Sequence, residues 1–462
     1  MKNYIELIEQ TFYFPTRDYR VENNELIFNE VRLTDIIRQY GTPLKITYLP
    51  KISEHIHYSQ KLFNQAIQKH NYQGSYTYCY CTKSSHFRFI LEETLKNGAH
   101  IETSSAFDMA IVKSLYKSKK IDKNTYIICN GFKRPEYTQS IRALIEGGFR
   151  CIPILDNLAE IDAYAQIEAP SVELGIRVAS DEEPNFEFYT SRLGVRYADV
   201  DKLYFQKIAP NPQFKLKMLH FFINTGIKDS AYYWSELSRF MYKYCELKKV
   251  CPDLDTIDIG GGFPIRNSLH FEFDYEYMAN QIVEYILWIC RKNHVPEPNI
   301  FTEFGSYTVG ESGAVIYSVI DQKLQNDKEL WYMIDGSFIT HLPDVWGMNQ
   351  KYIMLAINNW DQPHHKVNLG GLTCDAMDYY NSEMHSSEVF LPIIEPDQTQ
   401  YIGFFHTGAY QESLGGYGGI QHCLIPAPKH VIIDRKPDGE ITTRLFAEEQ
   451  SSESMLQILG YV

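Results

Sequence analysis

Eight short apolar runs recur through the first two thirds of this chain, each followed by a stretch of helical rather than alternating pattern. They are SYTYCYC (75–81), HIETS (100–104), TYIICN (125–130), CIPIL (151–155), VELGIRV (172–178), MLHFFI (218–223), TIDIG (256–260) and NIFTEF (299–304). Between them lie segments such as HFRFILEETLKNG, where Phe87, Ile90, Leu91 and Leu95 repeat at helical spacing and Gly98 stands where a helix C-terminal cap belongs. A strand buried on both faces reads as a continuous apolar run, and strands alternating with helices favour parallel pairing. Eight such units predict a closed α/β barrel of the TIM type, (β/α)8, rather than an open sheet.

The pattern changes near residue 305. Beyond it the helical period fades, and runs such as AVIYSVI, VFLPII, YIGFFH and HVIID are bounded by Gly, Pro and Asp, which predicts a β domain of sandwich or barrel-like form. FYFP and LIFNEVRL near the start are strand-like too, so residues 1–42 are expected to join 306–462, with the barrel over 43–305. The 462 residues suffice for both.

Charge and cysteine usage narrow the partners. A formal net charge of −14 disfavours nucleic acid and anionic membranes and favours cationic small molecules. No apolar run reaches the length of a membrane span, and MKNYIELIEQTFYFP lacks a signal-peptide pattern, so a cytoplasmic location is expected. Nine cysteines without repeated spacing suit free thiols. Cys79 and Cys81 are read as barrel core, and no metal is expected.

Several residues stand where chemistry could occur. Along GSYTYCYCTKSSH, Thr77, Cys79, Cys81 and Lys83 share one parity, which puts Lys83 on the face of the smaller residues at a strand's C-terminal end. Catalytic groups of such barrels sit at that end, and a partly desolvated amine is a nucleophile. A surface lysine opening a loop is the plainer alternative. Gly260, Gly261 and Gly262 follow a strand directly, where backbone N–H groups could close around a phosphate or simply make a tight turn. Glu303 ends the last strand inside an apolar run and needs a partner there, whether in a site or in a structural ion pair. Cys374, in GGLTCDAMD, could donate a proton or be a small buried residue.

In order, these segments resemble the alanine-racemase-like, fold-type III pyridoxal-phosphate decarboxylases over about residues 43–430. ICNGFKRPEY (128–137), LPDVWGMNQ (342–350), TCDAMD (373–378) and GAYQESLG (408–415) are most similar to the biosynthetic arginine decarboxylases. The resemblance implies decarboxylation of a basic amino acid, foremost L-arginine to agmatine and carbon dioxide, with pyridoxal 5'-phosphate on Lys83. It also implies a homodimer whose sites take residues from two chains. By the same likeness Gly260, Gly261, Gly262 and Tyr410 match phosphate contacts and Glu303 matches the acid at the pyridine nitrogen. Glu102 stands where an Asp near the cofactor is usual, and Arg177 matches an arginine near the ring. Cys374 matches the proton donor and Asp375 a substrate-contacting acid. A guanidinium needs a carboxylate within bidentate reach, for which Asp375 and Asp344 are the candidates.

Two segments depart from the pattern. LHFFINTG replaces the family's LHFHIGSQ, so Phe222 stands for a ring-stacking His and Thr225 for a phosphate-binding Ser. EFGS replaces EPGR, leaving Ser306 where a phosphate-binding arginine is expected. Decarboxylases of ornithine, lysine, diaminopimelate or carboxynorspermidine, a racemase on the same barrel, and a non-catalytic relative are the rival readings.

Overall fold

The computed structural model describes residues 7, 14, 17–180, 191–384 and 386–462. Most of FYFP therefore lies outside the described residues. Two compact units emerge, one formed by 52–264 and 273–308, the other by 1–51, 265–272 and 309–462.

The first unit is a closed parallel barrel. Its strands are β1 (Tyr76–Cys81), β2 (His100–Thr103), β3 (Ile127–Cys129), β4 (Cys151–Leu155), β5 (Val172–Ala179), β6 (Phe214–His220), β7 (Thr256–Asp258) and β8 (Asn299–Phe304). Each pairs in parallel with the next and β8 pairs with β1, so the eight strands close into a ring, to which the two-residue strand Val195–Arg196 adds at the end of β5. All eight expected strands are present. Helices return the chain between them, and three start at side-chain caps: Ser105 opens Ala106–Lys117 in a capping box with Asp108, Ser230 opens Ala231–Lys248, and Asp274 opens Tyr275–Asn293.

Cys79, Ile128, Ile152, Ile154, Met218 and Phe301 fill the barrel interior. The parity of β1 therefore has the expected sense: the cysteines point inward, while Tyr78 points outward and packs edge-on against Phe304. Filled in this way the barrel is a plug, so chemistry is confined to its ends.

The second unit is rich in sheet. Its longest strand, Gly313–Gln325, pairs with Glu329–Ile334, Tyr401–Phe405 and Leu44–Tyr48 in a ten-stranded sheet. Alternation along that strand splits the core, with Ala314 and Ile316 in one apolar cluster and Val315 and Tyr317 in another. The N-terminal strands Tyr19–Glu22, Glu25–Phe28 and Val31–Arg32 form a small antiparallel sheet, and Leu26 and Phe28 enter the first cluster. Leu44–Tyr48 belongs to this unit rather than to the barrel, because its pairing partners are Gly313–Ile316 and Lys429–Ile433. Among the described residues no helix is long and apolar enough to cross a membrane.

Candidate active site

One step of the pleat beyond the apolar plug, the inward positions turn polar. Ile128 gives way to Asn130, Met218 to His220 and Phe301 to Glu303; Cys81, Glu102 and Asp258 join them from β1, β2 and β7. All are buried, Glu102 and Asp258 completely. The layer is stitched from one side of the barrel to the other. Lys83 Nζ donates to Glu102 Oε2 at 2.6 Å. Asn130 Nδ2 donates to Glu102 Oε1 at 3.0 Å and to Glu303 Oε1 at 2.7 Å, and His220 Nε2 donates to Glu303 Oε2 at 3.1 Å. Cys81 Sγ caps the Glu303 carbonyl at 3.0 Å.

Three carboxyls in one buried layer cannot all ionise cheaply. Burial raises the Glu303 pKa, but the charge and hydrogen bond of His220, with Lys83 nearby, outweigh it and hold the carboxyl below its usual range. Asp258 goes the other way: burial, then the charge of Glu303, pushes it well up, so it keeps its proton. The layer thus carries a fixed anion at Glu303 beside a neutral acid, with the Lys83 amine at its rim; that side chain is 42% exposed.

Lys83 follows β1 in a short 3-10 turn, Thr82–Ser84. The glycine run leaves β7 and packs backbone to backbone. A Cβ on Gly261 would stand 2.1 Å from the Glu303 carbonyl oxygen, and Gly262 has φ +108°, so side chains are excluded at both. Close packing and a phosphate cradle are therefore compatible readings of these residues. Against the run lies the loop after β6, where Ile227 N donates to Gly262 O at 2.9 Å. Phe222 on that loop is exposed, and the Arg177 guanidinium lies 5.8 Å from its ring centre. Ser306 opens the four-residue helix Ser306–Val309, and Gly305 before it leaves no room for a Cβ beside Ser84 Oγ.

Polar atoms without partners concentrate here. Thr82 Oγ1, Ser84 Oγ, Asn130 Oδ1, His220 Nδ1 and Thr225 Oγ1 are buried and unbonded within the protein. Buried polar atoms are normally satisfied, so such a concentration indicates a place built for a polar ligand.

The other sequence candidates lie in the sheet-rich unit. Tyr410, at φ +68°, precedes the short helix Gln411–Gly415. Asp344 is buried and accepts from Gln411 Nε2 at 2.6 Å, and burial raises its pKa. Its geometry is that of a brace between short helices rather than of an acid presented to a guanidinium. Cys374 and Asp375 are exposed, and Asp375 Oδ1 caps Met377 N at 2.8 Å. Their loop is held by Asp378, whose Oδ2 accepts from Thr373 N and Oγ1 and whose Oδ1 accepts from Phe338 N at 2.8 Å. Cys374 Sγ lies 3.5 Å from Cys423 Sγ, and that contact pushes the Cys374 thiol pKa up.

Asn130, His220 and Asp258 were not singled out from the sequence. For Asn130 and His220 the signal is the change from apolar to polar two residues along an inward-facing parity, which Phe301 and Glu303 repeat.

Residues 54–310 match the family of pyridoxal-dependent decarboxylases, in its pyridoxal binding domain. Over 570 aligned positions the chain is 22% identical to a biosynthetic arginine decarboxylase of Prochlorococcus marinus (strain AS9601), covering 96% of this chain and 86% of the relative. It is 21% identical to arginine decarboxylase 1, chloroplastic, of Arabidopsis thaliana, over 89% of this chain and 73% of that one. Among solved structures, the biosynthetic arginine decarboxylase of Campylobacter jejuni superposes with a TM-score of 0.83 at 19% identity, covering 97% of this chain and 90% of the other. Diaminopimelate decarboxylase of M. jannaschii reaches 0.77 at 16%, over 96% and 98%.

Pyridoxal phosphate carries an aldehyde, a phosphate and a ring nitrogen, and the barrel end has complementary groups for each. These are a half-exposed amine, a side-chain-free glycine loop beside the unbonded Thr225 hydroxyl, and a buried carboxylate held ionised. A family match spanning more than half of the chain, on a barrel whose polar layer suits the cofactor, establishes that this chain belongs to the pyridoxal-dependent decarboxylases.

Proposed function

We propose that this protein decarboxylates L-arginine to agmatine and carbon dioxide, with pyridoxal 5'-phosphate carried by Lys83. The reading is supported chiefly by the linked layer Lys83–Glu102–Asn130–Glu303–His220, which sets an amine and a fixed anion at one barrel end. The choice of arginine is supported by the names of the relatives and by the net charge of −14, which favours a cationic substrate.

Bound pyridoxal phosphate supplies an electron sink for the pair released when the carboxylate leaves. The chain's own residues do the rest. Lys83 holds the cofactor and Glu102 orients its amine. Gly261, Gly262, Thr225 and Ser306 offer donors for the phosphate, with Tyr410 as a further contact, while Gly260 shapes the loop and gives its own N–H to Asp258 Oδ1 at 2.8 Å. Glu303, kept ionised by His220, holds a proton at the ring nitrogen. Phe222 and Arg177 face the ring. Asp375 takes the substrate guanidinium, and Cys374, a thiol that stays protonated, delivers a proton to the substrate α-carbon. Cys374 and Asp375 act in this scheme on a partner copy of the chain, in a cytoplasmic homodimer.

The deciding experiment offers arginine, ornithine, lysine and diaminopimelate separately to the cofactor-loaded protein and follows carbon dioxide and amine. Agmatine from arginine alone is the expected result. Turnover of another amino acid would keep the chemistry and discard the guanidinium assignment. Mixing Lys83→Ala with Asp375→Ala chains should restore activity, and no recovery would count against shared sites.

A further inference from the structure

Of the nine cysteines, seven are buried, and the two exposed ones, Cys374 and Cys423, face each other at 3.5 Å although 49 residues separate them. His422 completes a cluster in which the two sulfurs and an imidazole nitrogen all lie within 4.8 Å of one another. The approach is built by unusual backbone. Cys423 and Leu424 both adopt left-handed conformations, at φ +54° and +53°, which costs non-glycine residues about 1–2 kcal/mol each. The other loop is fixed by the buried Asp378 through its bonds to Thr373.

Spacing and ligand type indicate what would fit. In a tetrahedral zinc site with Zn–S bonds of about 2.3 Å, two sulfurs stand about 3.8 Å apart. A disulfide would require these sulfurs to close to about 2.05 Å. Two thiolates and an imidazole favour soft or borderline ions such as zinc over magnesium or calcium. Three protein ligands leave a fourth position open, as in exchangeable rather than structural sites.

We propose that Cys374, Cys423 and His422 form a capture site for a zinc-type divalent cation, and that filling it withdraws the Cys374 thiol from proton transfer. On binding, each thiol releases its proton to solvent and each sulfur gives an electron pair to the metal, with no change of oxidation state. The inhibitory half of the proposal rests on Cys374 being the proton donor; the binding half does not.

The test uses the cofactor-loaded protein, kept reduced by a phosphine, titrated with cobalt(II) and with zinc. Wild type should take up one cobalt per chain, with the visible bands of tetrahedral thiolate coordination at longer wavelengths than the cofactor absorbs, and zinc should displace it. Cys423→Ser and His422→Ala should each weaken binding by more than about tenfold, the least expected for a direct ligand. Zinc should slow the wild type, while Cys423→Ser, read against its own zinc-free rate, should lose zinc sensitivity. Absent thiolate bands, or bands unchanged in Cys423→Ser, would overturn the site. Zinc inhibition that persists in Cys423→Ser would overturn the inhibitory mechanism. Cobalt uptake without zinc inhibition upholds the site and counts instead against Cys374 as proton donor.

Discussion

Two buried charge clusters, one in each unit, use similar residues to opposite ends. In the sheet-rich unit, Asp18 accepts from Lys51 Nζ at 2.9 Å and from Arg266 Nη1 at 3.0 Å. Glu311 takes the Arg266 backbone N–H at 3.0 Å, and His406 joins the Arg266 carbonyl to the Tyr19 hydroxyl. In the barrel, Glu303, Asp258 and His220 lie as close together, but His220 Nδ1 has no protein partner. A closed network stabilises the fold, whereas an open one waits for a ligand. Acidic and basic residues in a core do not by themselves mark a site; unspent hydrogen-bonding capacity does.

The sharpest way to break this contrast is at Lys83. Lys83→Ala should cost on the order of a thousandfold or more in kcat and abolish the visible absorbance of lysine-bound cofactor, with little change in unfolding. A variant that retained both signals would remove Lys83 from the site. Glu303→Gln, which keeps shape and loses charge, should lower kcat by roughly 10²–10³-fold.

Asp18→Asn should do the reverse. Leaving Lys51 buried against a neutral amide should cost about 3 kcal/mol in denaturant unfolding, at the lower end for buried pairs because Arg266 is partly exposed, with kcat per folded molecule unchanged. A fall in kcat at unaltered stability would erase the distinction between the clusters.

Much of this division was legible in the sequence, and the reasons differ by element. The barrel strands show themselves because a strand buried on both faces is a short apolar run, and Lys83 because it closely follows the C-terminal end of such a run. The polar layer was only half legible. Glu303 stood out as a carboxylate in an apolar run, but Asn130 is tied to Glu102 and Glu303 across 28 and 173 positions, and no local pattern encodes such contacts. Leu44–Tyr48 was assigned to the barrel side because its partners near 315 and 431 are equally remote. The nearness of Cys374 to Cys423 was invisible for the same reason.

Smaller effects sharpen the comparison further. Thr225→Val replaces an unbonded buried hydroxyl with an isostere. It should weaken cofactor binding by roughly 10- to 100-fold, the worth of one hydrogen bond to a charged group, while leaving the cofactor-free protein as stable or slightly more so. Tighter cofactor binding would mean that the hydroxyl contributes nothing to the phosphate cradle.

The smallest difference is in acid. Burial raises the Asp18 pKa, but Lys51 outweighs it and lowers the folded value below the ordinary one. Its stabilisation is therefore fully present above the unfolded value of about 4 and is lost as pH falls through the folded value. Asp258 has the opposite sign, a raised folded pKa, so its contribution is present at low pH and lost as pH rises through that value. Asp18→Asn should flatten the loss of stability as pH falls below about 4, and Asp258→Asn the loss as pH rises above it; the same limb flattened by both would contradict the assigned protonation states.

The contact between Gly261 and Glu303 carries one more consequence. The loop and the strand bearing the carboxylate share a hydrogen bond, Glu303 N to Gly260 O at 2.9 Å, and approach too closely for any side chain to intervene. They behave as the two jaws of a caliper whose opening is set by main chain alone. A molecule that must touch both jaws is gauged by its length, so the barrel would reject a cofactor analogue with a longer phosphate arm even where every side chain could bend to receive it.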